Sequence, residues 1–243
     1  MKVFGLIGHP LTHSFSKKYF EEKFEKFNIK NCVYNLFDID NIEKVADLKN
    51  EKNIVGLNVT IPYKEAVLKY LDEVSPVAEQ IGSVNTIKCS KNRWKGFNTD
   101  YFGILQSIKS LPLKNIKSCL ILGSGGTAKT AAFVLNEMKI DFLTVSRNKR
   151  GEGFINYKEI NSETLKNYNL IINTSPVGMY PKVIEIPELP YQLLNKTNIL
   201  FDMIYNPQNT LFLQKGREKG CKTLNGMEAL KTQAEVSWKI WNE

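Results

Sequence analysis

The chain's 243 residues are enough for one large domain or two small ones, and 42% hydrophobic with 24% charged residues is an ordinary soluble globular balance. The net charge of +8 comes from lysines and arginines scattered along the chain, which puts nucleic acid well behind a small anionic metabolite as the partner. Val3 to Gly8 is too short an apolar run for a secretory signal, no stretch reaches the roughly 20 apolar residues that cross a bilayer, and four scattered cysteines with only His9 and His13 make neither a disulfide framework nor a metal site; a soluble, cytoplasmic, metal-free protein is expected.

In chain order, Val3–Ile7 reads as a short strand, followed by a loop from Gly8 to Ser16. The spacing of Phe15, Tyr19, Phe20, Phe24 and Phe27 predicts a helix with one buried face. Cys32–Phe37 and Ile54–Ile61 read as strands. Pro62, in a first-turn position, predicts a helix from Tyr63 to about Val74. Val84–Cys89 and Trp94–Phe97 predict a hairpin turning at Ser90-Lys91-Asn92. A connecting helix runs from near Tyr101 to about Leu111. Then come a strand at Ser118–Leu122, a glycine loop, a helix from Gly126 to about Met138 and strands at Phe142–Val145, Leu170–Asn173 and Ile199–Met203. A final helix, Glu228–Trp241, carries Trp238 and Trp241 on one side for packing. Alternating strands and helices predict an α/β protein, and the second half predicts a Rossmann-like doubly wound sheet.

The loop Gly123-Ser124-Gly125-Gly126-Thr127-Ala128 follows a buried strand and opens an alanine-rich helix, the context in which a glycine turn cradles a dinucleotide pyrophosphate. Gly123 permits the tight turn, Gly125 lets the backbone approach the phosphates, and Ala128 lets helix and strand pack closely. An NAD site usually carries an acid at the end of the next strand; this chain reads Val145-Ser146-Arg147-Asn148-Lys149-Arg150. Arg147 can pair with a 2′-phosphate, a charge-assisted contact worth about 1.5–3 kcal/mol, which favours NADP.

Polar groups recur at the loops and strand ends of the first half: Ser14 and Ser16, Thr60 and Lys64 within Asn58-Val59-Thr60-Ile61-Pro62-Tyr63-Lys64, Asn85, and Asp100 within Asn98-Thr99-Asp100. Singly each has a bland reading, Ser16 and Asp100 as helix caps, Lys64 as an exposed first-turn lysine, Asn85 as a turn residue. Together, before a dinucleotide domain, they make a site. Hydride transfer leaves an alkoxide that needs a proton, and a positioned lysine ammonium supplies one, a role worth about 10²–10⁴-fold.

Those motifs, with Gly8-His9-Pro10, Asn173-Thr174-Ser175-Pro176-Val177-Gly178-Met179, Asp202-Met203-Ile204-Tyr205-Asn206-Pro207 and Gly226 through Gln233, resemble the shikimate dehydrogenases over nearly the whole chain. The resemblance implies NADPH-dependent, reversible reduction of 3-dehydroshikimate to shikimate, in the pathway to aromatic amino acids. It implies that Ser14 and Ser16, aided by Tyr205, hold the substrate carboxylate, and that Thr60, Asn85, Asp100 and Gln233 hold the ring hydroxyls. Lys64 is then the catalytic residue with Asp100 beside it, and Met203 and Gly226 meet the nicotinamide end through their backbones. The expected layout is a substrate domain (1–101), an NADP domain (102–226) and a C-terminal helix (227–243) returning to the first domain, with a cleft between the two and a monomer or homodimer as the assembly. Three features depart from the family: Ser146-Arg147-Asn148 in place of Asn-Arg-Thr, a shortened stretch around 149–165, and Ala229-Leu230 in place of Met-Leu. A quinate/shikimate or aminoshikimate relative and a non-catalytic NADP sensor are the alternatives; retained Lys64 and Asp100 speak against the sensor.

Overall fold

The computed structural model describes residues 1–11, 14–90, 93–148 and 151–243. His13, the hairpin turn residues Lys91 and Asn92, and the basic residues Lys149 and Arg150 therefore lie outside the described residues.

The first unit comprises Met1–Thr99 and Gln233–Glu243. Its elements are β1 (Lys2–Gly8), α1 (Phe15–Lys26), β2 (Cys32–Asp38), α2 (Val45–Leu48), β3 (Ile54–Val59), β4 (Glu73–Val74), α3 (Pro76–Ile81), β5 (Thr86–Ser90) and β6 (Arg93–Phe97). They form one mixed sheet in the order β2-β1-β3-β5-β6-β4, with β1 parallel to both neighbours and β5 antiparallel to β3 and β6. Apolar side chains on one face gather around Ile7, Leu57, Val67 and Ile87. On the other face, α1 buries Phe20 and Phe24. Phe27, placed on that buried face by its spacing, is instead 61% exposed, because α1 ends at Lys26 and Phe27 caps it.

The helix expected over Tyr63–Val74 does not form. A short 3-10 turn at Ala66–Tyr70 is followed by β4, whose Glu73 and Val74 pair with Lys95 and Gly96 of β6. Asp72 also accepts from the Trp94 main-chain N–H at 2.6 Å, so sheet pairing outcompetes the local helical preference of this stretch. Pro76, which did not figure in the expected elements, takes the first turn of α3, behind a capping Ser75.

The second unit is Asp100–Thr232. Its elements are α4 (Asp100–Lys109), β7 (Cys119–Leu122), α5 (Gly126–Glu137), β8 (Phe142–Val145), β9 (Phe154–Ile155), α6 (Ser162–Asn167), β10 (Leu170–Asn173), β11 (Ile199–Asp202), α7 (Leu211–Glu218) and β12 (Lys222–Leu224). The sheet order is β9-β8-β7-β10-β11-β12 and every neighbouring pair is parallel. This is the doubly wound arrangement, with the order reversing between β7 and β10. All residues of β7, β10 and β11 are buried, as a parallel sheet covered on both faces requires.

Helix α8 (Met227–Asn242) begins in the second unit and contributes Gln233–Glu243 to the first. There Trp238 and Trp241 pack with Phe4, Phe20 and Phe24, and the Trp241 Nε1–H donates to the Ile87 carbonyl at 3.0 Å. A side chain at Gly56 would overlap the Trp241 ring, so β3 needs glycine at that contact.

Candidate active site

In an open parallel sheet, ligands sit beyond the carboxyl ends of the strands where the strand order reverses. In the second unit that point lies between the ends of β7 and β10, and the glycine loop leaves β7 there. Gly123 has φ +110, a conformation that side-chain-bearing residues rarely adopt, and its N–H donates to the Val145 carbonyl at 3.0 Å. Thr174, just past β10, donates from both its N–H (3.0 Å) and its hydroxyl (2.8 Å) to the Leu122 carbonyl, locking the two strand ends together. Gly125 caps α5 with ordinary extended backbone (φ −88), and a Cβ there would meet no atom within 4 Å. Glycine is thus not needed for the fold at 125; the space is left open for something else. The helix beginning at Gly126 aims its first-turn amides and positive dipole end at that space, with Ser124 and Thr127 half-buried beside it. A pyrophosphate fits this cradle.

Beyond β8, Ser146 is buried, its N–H donating to Ile155 at 2.9 Å and its hydroxyl accepting from the Asn148 N–H at 3.3 Å. This turn holds Arg147 exposed at the strand's end, near Tyr157, whose pKa burial raises while the Arg147 charge partly opposes that rise. The residue types here match a 2′-phosphate and not the ribose hydroxyls of NAD.

At the end of β11, Asp202 is fully buried and accepts from the Thr210 hydroxyl (2.6 Å), the Asn173 amide (3.0 Å) and the Ile204 N–H (3.1 Å). Burial raises its pKa to about 6 in spite of those three donors. Asp202 thereby pins the segment carrying Met203 and Tyr205, both half-buried. Gly226 crosses this segment so closely that a Cβ would overlap the Met203 carbonyl oxygen. That backbone contact holds Met203 and Gly226 side by side. Asp100, the first residue of α4, also belongs to this unit.

The first unit carries the remaining candidates. Ser14 caps α1, accepting from the Lys17 N–H at 3.2 Å, so this cap role falls to Ser14 and not to Ser16. Ser16 lies near the buried Tyr34 hydroxyl, whose pKa burial raises and which donates to Asn58 Oδ1 at 2.8 Å. Thr60 directly follows β3, its N–H donating to Ile7 at 2.9 Å and its carbonyl accepting from Tyr63 at 2.9 Å. Lys64 is half-buried, its carbonyl tied to the Val84 N–H at 2.8 Å beside Asn85. Asn85 and Gln233, 148 positions apart in sequence, are both buried and in contact, with the Asn85 amide donating to Gln233 Oε1 at 3.4 Å.

Sequence reasoning left out of the candidate set a network beneath these residues: Tyr34, Asn58, Thr86, Thr99 and Ser237, each buried. Asn58 and Thr99 stood inside polar motifs of the first half, and so did Thr86, in Val84-Asn85-Thr86 beside the hairpin. Ser237 carried a signal that was available, since it lies one turn after Gln233 on the same face of α8. Tyr34 carried none, because alternating strand residues look the same before the sheet is assembled.

Residues 6–87 match the family described as the shikimate dehydrogenase substrate binding domain. The chain is 37% identical to the shikimate dehydrogenase (NADP(+)) of Methanococcus vannielii, over 98% of this chain and 90% of the relative. It is similar to the solved structure of shikimate dehydrogenase 1 from Peptoclostridium difficile, at TM-score 0.86 and 39% identity, covering 100% of this chain and 92% of that one. It is also similar to the shikimate 5-dehydrogenase of Thermus thermophilus in complex with NADP(H) and shikimate, at TM-score 0.85 and 29% identity, covering 99% and 93% of the two chains.

Proposed function

The chain belongs to the shikimate dehydrogenase family, an NADP-dependent oxidoreductase family acting on a CH–OH group, and from this we propose how its own residues carry the reversible reduction of 3-dehydroshikimate to shikimate. The open space above Gly125 at the reversal of strand order is the observation that carries the reading. The amides opening α5 cradle the pyrophosphate, and Ser124 and Thr127 line it. Arg147 pairs with the 2′-phosphate. The backbones of Met203 and Gly226 face the nicotinamide end. When bound, NADPH supplies the hydride. Ser14 and Ser16 bind the substrate carboxylate by their hydroxyls, with Tyr205 assisting. Thr60, Asn85, Asp100 and Gln233 bind the ring oxygens and so orient the carbonyl. The Lys64 ammonium donates its proton to the carbonyl oxygen as negative charge develops there, and takes it back in the oxidative direction. Asp100 is the second residue we assign as catalytic. No helix among the described residues is long and apolar enough to cross a membrane, and the four free cysteines suit a reducing cytoplasm. The assembly is a monomer or a homodimer.

The test is purified protein with shikimate or quinate and NADP or NAD, followed by absorbance of the reduced cofactor. Turnover with shikimate and NADP is expected. Turnover only with quinate and NAD, or none at all, refutes the proposal.

A further inference from the structure

We propose that Thr86 and Ser237 are positioning residues whose buried hydroxyls, acting through Thr99, hold the Asn85–Gln233 amide pair in the arrangement that presents its donors, without touching substrate themselves. The inference rests on the reading that those two amides hold the ring oxygens.

The chain of bonds is anchored at both ends by main-chain groups whose polarity cannot reverse. Ser237 Oγ lies 2.8 Å from the Gln233 carbonyl, which only accepts, so the Ser237 proton points there. Ser237 then accepts from Thr86 at 2.8 Å, and Thr86 accepts from Thr99 at 3.0 Å. At the far end the Thr99 main-chain N–H donates to Asn85 Oδ1 at 2.6 Å. The Asn85 nitrogen must therefore be the other branch of its amide, donating to Thr99 Oγ1 at 3.0 Å and to Gln233 Oε1 at 3.4 Å. With Oε1 so engaged, Gln233 keeps Nε2 to meet an oxygen that accepts. A run of donors thus extends from Asn85 through Thr99, Thr86 and Ser237 to the backbone of α8, and the Thr99 hydroxyl also lies 3.1 Å from Ser237 Oγ. Asn58 braces it from the side, its Nδ2 lying 3.2 Å from Thr86 and 3.1 Å from Ser237, with Tyr34 donating to its Oδ1.

Thr86, Thr99 and Ser237 are all 0% exposed, so water cannot replace a missing hydroxyl. Without one, the Thr99 hydroxyl proton turns toward Asn85 Oδ1 or Gln233 Oε1, 3.2 and 3.4 Å away, and competes there with the bonds that hold the two amides together, shifting Gln233 off its match to the substrate oxygen.

Two substitutions at one position separate this role from packing. Thr86→Val keeps the shape and removes the hydroxyl; Thr86→Ser keeps the hydroxyl and removes a methyl. We expect Thr86→Val to raise the KM for shikimate about tenfold while kcat and the KM for NADP stay within about twofold, and Thr86→Ser to behave as wild type. A packing role predicts the reverse order, because serine leaves a void and valine does not. Ser237→Ala breaks the same run from α8 and should reproduce the valine effect even if Thr86→Val folds poorly. In a Gln233→Ala background, Thr86→Val should add less than about twofold, since the amide through which it acts is gone. The proposal is overturned if Thr86→Val and Ser237→Ala keep the wild-type KM, if Thr86→Ser is equally impaired, or if the Thr86→Val effect survives in full beside Gln233→Ala. A wild-type protein that does not turn over shikimate, or a Gln233→Ala variant with unchanged KM, refutes the site reading itself; an active wild type with an unaffected Thr86→Val refutes only this inference.

Discussion

Replacing Gly125 by alanine isolates what the glycine loop does for the ligand from what it does for the fold. At 125 the backbone is extended and an added Cβ would meet nothing within 4 Å, so the substitution introduces neither strain nor overlap. Two small opposing effects remain for stability. Alanine reduces the freedom of the unfolded chain, worth about 0.4–1 kcal/mol in its favour, and it is a poorer helix N-cap than glycine by a similar amount. Stability should therefore change by less than about 1 kcal/mol. The added methyl, however, stands in the space where the pyrophosphate approaches the α5 amides. Forcing a methyl into a close-packed contact costs about 1–3 kcal/mol, which corresponds to roughly five- to 150-fold in affinity. The assays are the thermal midpoint of the free protein and the NADP Kd by titration calorimetry. An unchanged midpoint with a Kd raised at least about fivefold is expected. A Kd within about twofold of wild type would refute the phosphate-binding role of the open space. Gly226→Ala is the opposite case: its methyl would overlap the Met203 carbonyl, backbone against backbone, so loss of stability comes first.

Arg147→Ala should raise the KM for NADP about ten- to a hundredfold and leave that for NAD within about twofold; equal effects on both would remove the 2′-phosphate contact from Arg147. Lys64→Ala should retain shikimate binding but lower kcat about 10²–10⁴-fold, and normal turnover by this variant would end the proton-transfer role of Lys64. Burial raises the Asp202 pKa from 3.8 to about 6, so the folded state holds its proton more tightly than the unfolded chain. The stabilisation it brings is complete below about pH 4 and is lost as pH rises through about 6, a swing on the order of 3 kcal/mol. Asp202→Asn keeps an acceptor for Asn173 and Ile204 and cannot ionise, so its urea-unfolding free energy should lack that decline. A constant difference between wild type and variant across this pH range would contradict the assignment.

Legibility differed between the two units for a physical reason. The second unit's strands are buried on both faces and read as short apolar runs, and the tight turn after β7 demands glycine at 123, so the doubly wound sheet and its glycine turn were visible in residue types alone. The role proposed for Arg147 likewise rests on local features, its charge and its place at a strand end. Ser14, Ser16, Lys64 and Asp100 were readable as a chemical set, and their spacing within motifs pointed to the family. The segment Tyr63–Val74 was misread because its periodicity is helical in isolation, whereas pairing of Glu73 and Val74 with β6 is decided by residues 22 positions away. Phe27 was misread because the end of a helix depends on its cap and not on apolar spacing. Local sequence thus determined the strand–glycine turn–helix unit and the residue types from which the cofactor and proton-transfer roles are proposed, since each depends on backbone conformation or charge at one place. Only the tertiary structure joined Asn85 to Gln233 through Thr99, Thr86 and Ser237, because a hydrogen-bond direction exists only once donor and acceptor from distant segments are buried together.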